Sequence, residues 1–207
     1  NFFANLSVDG SSELVVGEAV SDNYFQLLGV PPVLGRPFLA EEAAAPGAGP
    51  VAVLGHTFWQ TRFGGDPDIL GRTFRMNGEV FTVVGVAPAR FGGMFPATRV
   101  QMWIPLGMVD AVEPMGAMRG STGGESRLRA RGARFLWLKG RMEAGVELEQ
   151  VRAELEAINA RLAAQYPETN RREHVVVLAT NDVAVNPDFD GTIAPAGLLL
   201  LGAVALV

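Results

Sequence analysis

Apolar positions in this chain fall into short runs broken by Gly and Pro, with one long amphipathic stretch near the end. Leu14 to Val20 is a short apolar run and predicts a strand. Ser21, Asp22 or Asn23 can cap a helix, and Gln26 stands at capping-box spacing from Asn23. Tyr24 to Leu28 then predicts one or two helical turns, stopped by Gly29 and the Pro31-Pro32 pair. Glu41 to Pro50 is mostly Ala, Gly and Pro and predicts a solvated loop. Val51 to Leu54 predicts a second buried strand. Thr57 to Phe63 predicts a second short helix, with Trp59 and Phe63 on one face and Gly64-Gly65 at its end.

A hairpin follows. Thr73 to Met76 alternates, Asn77-Gly78 is a strong two-residue turn signal, and Val80 to Val86 returns. Met102-Trp103-Ile104 predicts another strand, bounded by Pro105. Gly107 to Gly132 is rich in Gly, Met and Arg, without periodicity, and predicts a mobile loop. Arg134 to Arg141 predicts a strand around Phe135-Leu136-Trp137-Leu138. Glu147 to Tyr166 predicts the one long helix, with Leu148, Val151, Leu155, Ile158 and Leu162 in a narrow stripe and Pro167 closing it. His174 to Ala179 predicts a last strand.

Strand, helix and strand from Phe135 to Ala179 make a βαβ unit whose two strands would lie parallel. Val15 to Leu54 is a candidate partner unit. Residues 66–106 read as a separate small β-rich lobe. The fold class is therefore α+β: a βαβ-built lobe from residues 1–65 and 134–190, and a β-rich inserted lobe over 66–133 that carries the loop 107–132.

The C-terminal run from Ala196 to Val207 carries no charge and has no polar face. An amphipathic surface helix would show one. As it stands the run is shorter than the roughly 20 residues that span a hydrocarbon core. It predicts the first turns of a transmembrane helix over 193–207; a buried terminal helix of a soluble domain is the alternative. The start at Asn1, with no basic and apolar leader after it, agrees with a piece of a longer protein.

Composition narrows the function classes. The 207 residues carry 17 Lys+Arg and 22 Asp+Glu, a net charge of −5. That balance lacks the basic stripe of a nucleic-acid binder. With 48% apolar and 19% charged residues the chain can build a core and does not read as disordered. Cys is absent, which excludes disulfides and thiolate metal sites.

Catalytic templates mostly fail. There is no Walker A, no GxGxxG and no HExxH. Gly120-Ser121-Thr122-Gly123-Gly124 has Thr where a nucleophile elbow needs Ser, and reads as a loop. His56 and His174 stand isolated, without the carboxylate cluster a metal site would need. Glu41-Glu42 could be paired carboxylates, but their setting reads as a solvated cap. Asp66-Pro67-Asp68 reads as a turn. Arg127, Arg129, Arg131 and Arg134 are the most concentrated positive charge; they could meet lipid headgroups or an anionic partner, or simply solubilise a long loop. Asn5-Leu6-Ser7 fits the glycosylation triplet, a pattern common by chance. Glu149/Arg152 and Arg152/Glu156 at helical spacing mark an exposed face. Phe91, Met94, Phe95, Met102, Met108, Met115 and Met118 could form an adaptable apolar surface, with core packing the simpler reading. No catalytic, cofactor-binding or metal-ligating residue is assigned.

Several blocks together resemble a known family. Val20-Ser21-Asp22-Asn23-Tyr24-Phe25-Gln26-Leu27-Leu28-Gly29-Val30, then Leu34-Gly35-Arg36-Pro37-Phe38, resembles a stretch of MacB-like periplasmic core domains. Val51 to Leu54 with Phe58-Trp59-Gln60 and Arg62 to Pro67 resembles the next block. Gly71-Arg72-Thr73, Asn77-Gly78 and Phe81 to Pro88 resemble the third, and Trp103-Ile104-Pro105-Leu106 the fourth. The Ala/Gly/Pro-rich style is similar to duplicated FtsX-like permeases of acidobacterial type.

The resemblance implies a non-enzymatic domain outside the cytoplasmic (inner) membrane, between two transmembrane helices of an ABC-type permease subunit. It implies that the βαβ-built lobe is the membrane-proximal one. It also implies a cytoplasmic ABC ATPase subunit or domain, a permease dimer partner, a periplasmic adaptor and membrane attachment through flanking helices, with no cofactor. The role would be to couple ATP hydrolysis to extracytoplasmic movement and cargo export. Two alternatives remain: a soluble periplasmic binding or adaptor protein without transmembrane helices, and a soluble hydrolase or transferase whose site the sequence does not display.

Overall fold

The computed structural model describes residues 1–8, 10–94, 99–114 and 124–180. They divide into two compact units: residues 1–93 with 99–141, and a second whose described part is Met94 with 142–180. Helices and strands are mixed, as an α+β chain requires.

The first unit opens with β1 (Phe2–Val8) and β2 (Ser11–Val20), an antiparallel hairpin. β1 was not among the expected strands, although its alternation is plain: Phe2, Ala4, Leu6 and Val8 are buried while Phe3 and Asn5 are exposed. Next come α1 (Tyr24–Leu28), β3 (Leu34–Gly35), α2 (Ala40–Ala43), β4 (Val51–Leu54) and α3 (His56–Phe63). Gly29 and Gly64 end α1 and α3 in the left-handed conformation, as expected. A 3₁₀ turn at Pro67–Ile69 leads into β5 (Thr73–Met76) and β6 (Glu79–Val86), joined by Asn77-Gly78. Both turn residues have positive φ, 49° and 91°, which matches the right-handed twist of the strands. β7 (Met102–Pro105), a 3₁₀ stretch at Leu106–Ala111 and β8 (Glu113–Pro114) follow.

Six of these strands close on themselves. β1 is antiparallel to β2 and β2 parallel to β7. β7 is antiparallel to β4, and β4 is parallel to β6. β6 is antiparallel to β5, and β5 returns to β1. β3 and β8 add to β6 and β1 outside the ring. Closure leaves few free edges. The interior is one apolar cluster built from alternate positions: Phe2, Leu6, Val15, Met76, Phe81 and Met102 are typical, and Phe58 and Phe63 of α3 join it. A second cluster lies on the opposite face of β2, β4 and β7, where Val20, Val53 and Trp103 meet Tyr24 and Phe25 of α1.

Several expectations change. Residues 66–106, expected to stand apart as a lobe, place β5, β6 and β7 in the same sheet as β1, β2 and β4. The strand–helix–strand from Val15 to Leu54 is not a βαβ unit. β2 and β4 flank β7 and run in opposite directions, and the parallel pairs are β2–β7 and β4–β6. The stretch expected as a loop at 41–50 includes most of α2 and is tied down, since Gly47 N–H donates to Gly107 C=O at 2.8 Å.

In the second unit α4 (Leu148–Gln165) confirms the long helix, and a one-turn α5 (Pro167–Asn170) follows with Pro167 at its first position. The Glu147 N–H donates to Gln150 Oε1 at 3.0 Å, half of a capping box. No residue of α4 is buried.

The strands expected at 134–141, in the first unit, and at 174–179, in the second, carry no ladder. The βαβ unit expected over 135–179 is therefore absent among the described residues. Apolar runs rich in aromatic or β-branched residues report a preference for burial on a pleated surface, and pairing needs a partner strand that the run itself does not name. The apolar stretch at 193–207 lies outside the described residues. Among the described residues no helix is long and apolar enough to cross a membrane.

Candidate functional site

The chemistry-bearing side chains of the first unit converge on three polar pins. The most buried is Glu18, at 3% exposure. Along β2 the odd positions Val15 and Ala19 face the barrel interior, so Glu18 faces outward, toward α1. Its register partner across the parallel pair is Trp103. Trp103 Nε1–H and Tyr24 Oη–H both donate to Glu18 Oε2, each at 2.8 Å. Burial, then the Glu18 charge and hydrogen bond, push the Tyr24 hydroxyl well above the usual phenol range, and the hydrogen bond from Trp103 pulls slightly back. Tyr24 is thus held as a donor. Aromatic rings enclose the group: Phe91 stacks on Trp103 with centroids 5.1 Å apart, and Phe25 meets Trp103 edge-on at 5.7 Å.

The second pin joins β3 to α2. Arg36 grips Glu42 bidentately, Nη2 to Oε1 at 2.6 Å and Nη1 to Oε2 at 3.0 Å. Glu42 Oε2 also accepts the Leu39 N–H at 2.8 Å, which caps α2. Glu42, expected as a solvated cap residue, does cap but is buried; Glu41 is exposed. Burial pushes the Glu42 carboxyl up, and the Arg36 hydrogen bonds, the Leu39 N–H and the Arg36 charge outweigh it, so the net shift is downward.

The sign follows from linkage. A carboxyl held lower in the folded state than its ordinary value near 4.5 stabilises the fold above that pH, and the contribution is lost as pH falls through the folded value. Glu42→Gln should therefore cost about 1 kcal/mol at pH 7, a figure discounted because Arg36 is partly exposed. The gap to wild type should close as pH falls below the ordinary value near 4.5 and through the lower folded value. Urea denaturation of both proteins from pH 7 to pH 3 measures this; a gap independent of pH would refute the pairing.

The third pin holds α3 against the β1–β2 hairpin. Arg62 Nε donates to Glu13 Oε1 at 2.7 Å, and Nη2 donates to Val8 C=O at 3.0 Å and Ser11 Oγ at 2.6 Å. The Asn77 side chain performs a similar service: Oδ1 accepts Asn5 N–H at 2.8 Å and Nδ2 donates to Ala111 C=O at 3.0 Å.

The other residues singled out from sequence do not converge. His56 opens α3 with its ring edge-on to Trp59 at 5.4 Å, and His174 is exposed in the second unit. Asp66 accepts the Asp68 N–H at 2.9 Å and so caps the 3₁₀ turn. Asn5 is an exposed strand residue. Arg127 pairs with Asp110 at 3.4 Å, Arg134 donates to Arg131 C=O, and Arg129 and Arg131 are exposed. The cluster is thus partly engaged with its own unit. Met102 and Met108 belong to the barrel core, and Phe91 to the outer aromatic layer. Phe95, Met115, Met118 and residues 120–123 lie outside the described residues. In the second unit Arg152 pairs with Glu149 at 3.1 Å and donates to Val177 C=O, along a shallow groove lined also by Glu156 and Val175–Leu178. Among the described residues no group of three or more His, Asp or Glu is placed to hold a metal ion.

Glu18 was missed from sequence. Its signal was available: a lone acid inside an apolar strand must be paired or hydrogen-bonded if that strand is buried.

Comparison with known proteins places this geometry. The profile described as MacB-like periplasmic core domain matches residues 2–158. The periplasmic region of MacB from Actinobacillus actinomycetemcomitans is similar in structure, with a TM-score of 0.51 and 16% identity. That alignment covers 81% of this chain and 65% of that structure. The extracellular domain of the noncanonic ABC-type transporter YknZ from Gram-positive bacteria aligns over 50% of each chain, at 13% identity and a TM-score of 0.40. No curated protein matches the chain.

Proposed function

We propose a mechanical role for this chain, which belongs to the MacB-like periplasmic core domain family. It serves as an extracytoplasmic domain of an ABC-type permease subunit in the cytoplasmic membrane. A cytoplasmic ATPase subunit or domain hydrolyses ATP, and this domain moves in response against its dimer partner, and an adaptor where one is present, to export cargo. The chain itself performs no catalytic step.

The observation that carries this reading is the family match across residues 2–158. The geometry supports it. A barrel closed on itself, with α2, α3 and the β5–β6 turn fastened by Arg36, Arg62 and Asn77, resists deformation and can move as one body. Rigid-body displacement of packed units is a common form of transmitted conformational change.

The test uses the full-length protein with its ATPase in proteoliposomes. This segment contains no Cys, so Leu14→Cys, at an exposed strand position, gives one labelling site per protomer within it. Spin labels there should report an inter-protomer distance that shifts by several ångströms between the nucleotide-free and ATP-trapped states. An unchanged distance, in a preparation that hydrolyses ATP, would refute the coupling.

A further inference from the structure

α1 is five residues long, far below the length at which a helix persists by itself. Its N-cap, Asn23, makes no side-chain cap bond; its Oδ1 accepts from Ser21 Oγ–H at 2.7 Å. What holds α1 must therefore be tertiary. Its buried residues are its first two, Tyr24 and Phe25, and both lie in the outer aromatic layer. That layer is a separate cluster from the barrel interior; the two share strands β2, β4 and β7 but meet opposite faces of them. The polar tie between α1 and the strands is Glu18, which takes one hydrogen bond from the helix and one from β7 on the same oxygen. Gly93 brings the segment after β6 against the other oxygen: a Cβ there would lie 3.0 Å from Oε1. At the far end of α1, Arg141 Nη2 donates to the Leu27 C=O at 2.9 Å from a segment outside the sheet.

We infer that Glu18 is a latch, through which α1 opens from the outer face of β2 and β7 without unfolding the barrel. Hydrogen bonds to a charged acceptor are about twice as strong as neutral ones, so the negative charge of Glu18 sets how firmly the latch closes. Once Tyr24 leaves, Phe25 follows, and the Trp103–Val53 face of the sheet loses the part of its cover that α1 supplies, while Phe91 stays stacked on Trp103. The barrel interior keeps its own apolar cluster and its ladders. This inference stands apart from the transport reading.

Hydrogen exchange in the intact chain tests it. The reporter amides are Leu27, Gly29 and Val30, which donate to Asn23, Gln26 and Phe25 carbonyls. In Glu18→Gln these should exchange at least tenfold faster, while the Phe74 and Phe81 amides between β5 and β6 change less than twofold. Equal acceleration at all of these sites would show one cooperative unit and overturn the latch. No acceleration at the α1 amides would overturn it as well. Should Glu18→Gln fail to fold, Tyr24→Phe keeps the ring and removes the donor, and the same two readings apply.

Discussion

Gly35→Ala should destabilise the chain by about 3–4 kcal/mol, the largest effect expected of any single methyl added here. Gly35 sits in β3 with φ of +70°, a left-handed conformation that costs an L-residue about 1–2 kcal/mol. Space is the larger obstacle. A Cβ there would lie 2.1 Å from the Val84 carbonyl oxygen and 2.8 Å from Leu70 Cδ2. The oxygen belongs to the backbone of β6, which is paired with β4 on one side and β5 on the other. It also accepts the Arg36 N–H at 2.9 Å. Relieving the overlap means pulling β3 off β6, which would also displace Arg36 from Glu42. Gly71→Ala is the control: its φ is +82°, but nothing lies within 4 Å of the added carbon. It should cost only the conformational share, about 1–2 kcal/mol. Urea midpoints of the two variants decide the matter, and a difference below about 1 kcal/mol would show that the β3–β6 contact is not tight.

Trp103→Ala should cost about 3–5 kcal/mol, the range for emptying a large buried aromatic. The side chain is fully buried at the centre of the outer layer, between Phe25 and Phe91. Its removal leaves a cavity beneath α1 and deprives the Glu18 carboxylate of a donor. In a chain of this size that loss corresponds to a fall in Tm of about 10 °C. Trp137→Ala, at a position 42% exposed, should cost about 1 kcal/mol or less. Calorimetry on both proteins checks the pair. Equal losses would mean that the aromatic layer is not a core.

These residues also show what can be read along the chain. Asn77-Gly78 announced its hairpin because both positions need φ > 0, a demand that is local. Gly29 and Gly64 announced helix ends for the same reason. The stripe of α4 and its closure before Pro167 were equally legible, since helical period and proline geometry act within a few residues. The family blocks were visible as well, and all of them lie inside the span 2–158 that the family profile matches.

Most of what the chain does not show locally depends on a partner supplied by the fold. Which strands adjoin was misjudged because β2 takes β7 as its parallel neighbour from more than eighty positions away, and no short-range pattern encodes that choice. Glu42 reads as solvated because its Ala- and Pro-rich surroundings do not show that the chain folds back to bring Arg36, six positions earlier, onto it. The runs at 135–138 and 175–178 suggested strands because they are apolar, and a ladder requires a second backbone that composition cannot supply. The sequence alone therefore determined the glycine-dependent turn and helix ends, the long helix and the family. The closed sheet, the separation of its two apolar layers and the burial of Glu18 between Tyr24 and Trp103 were decided by tertiary pairing, because long-range hydrogen bonds and desolvation act on groups that the chain brings together only when it folds.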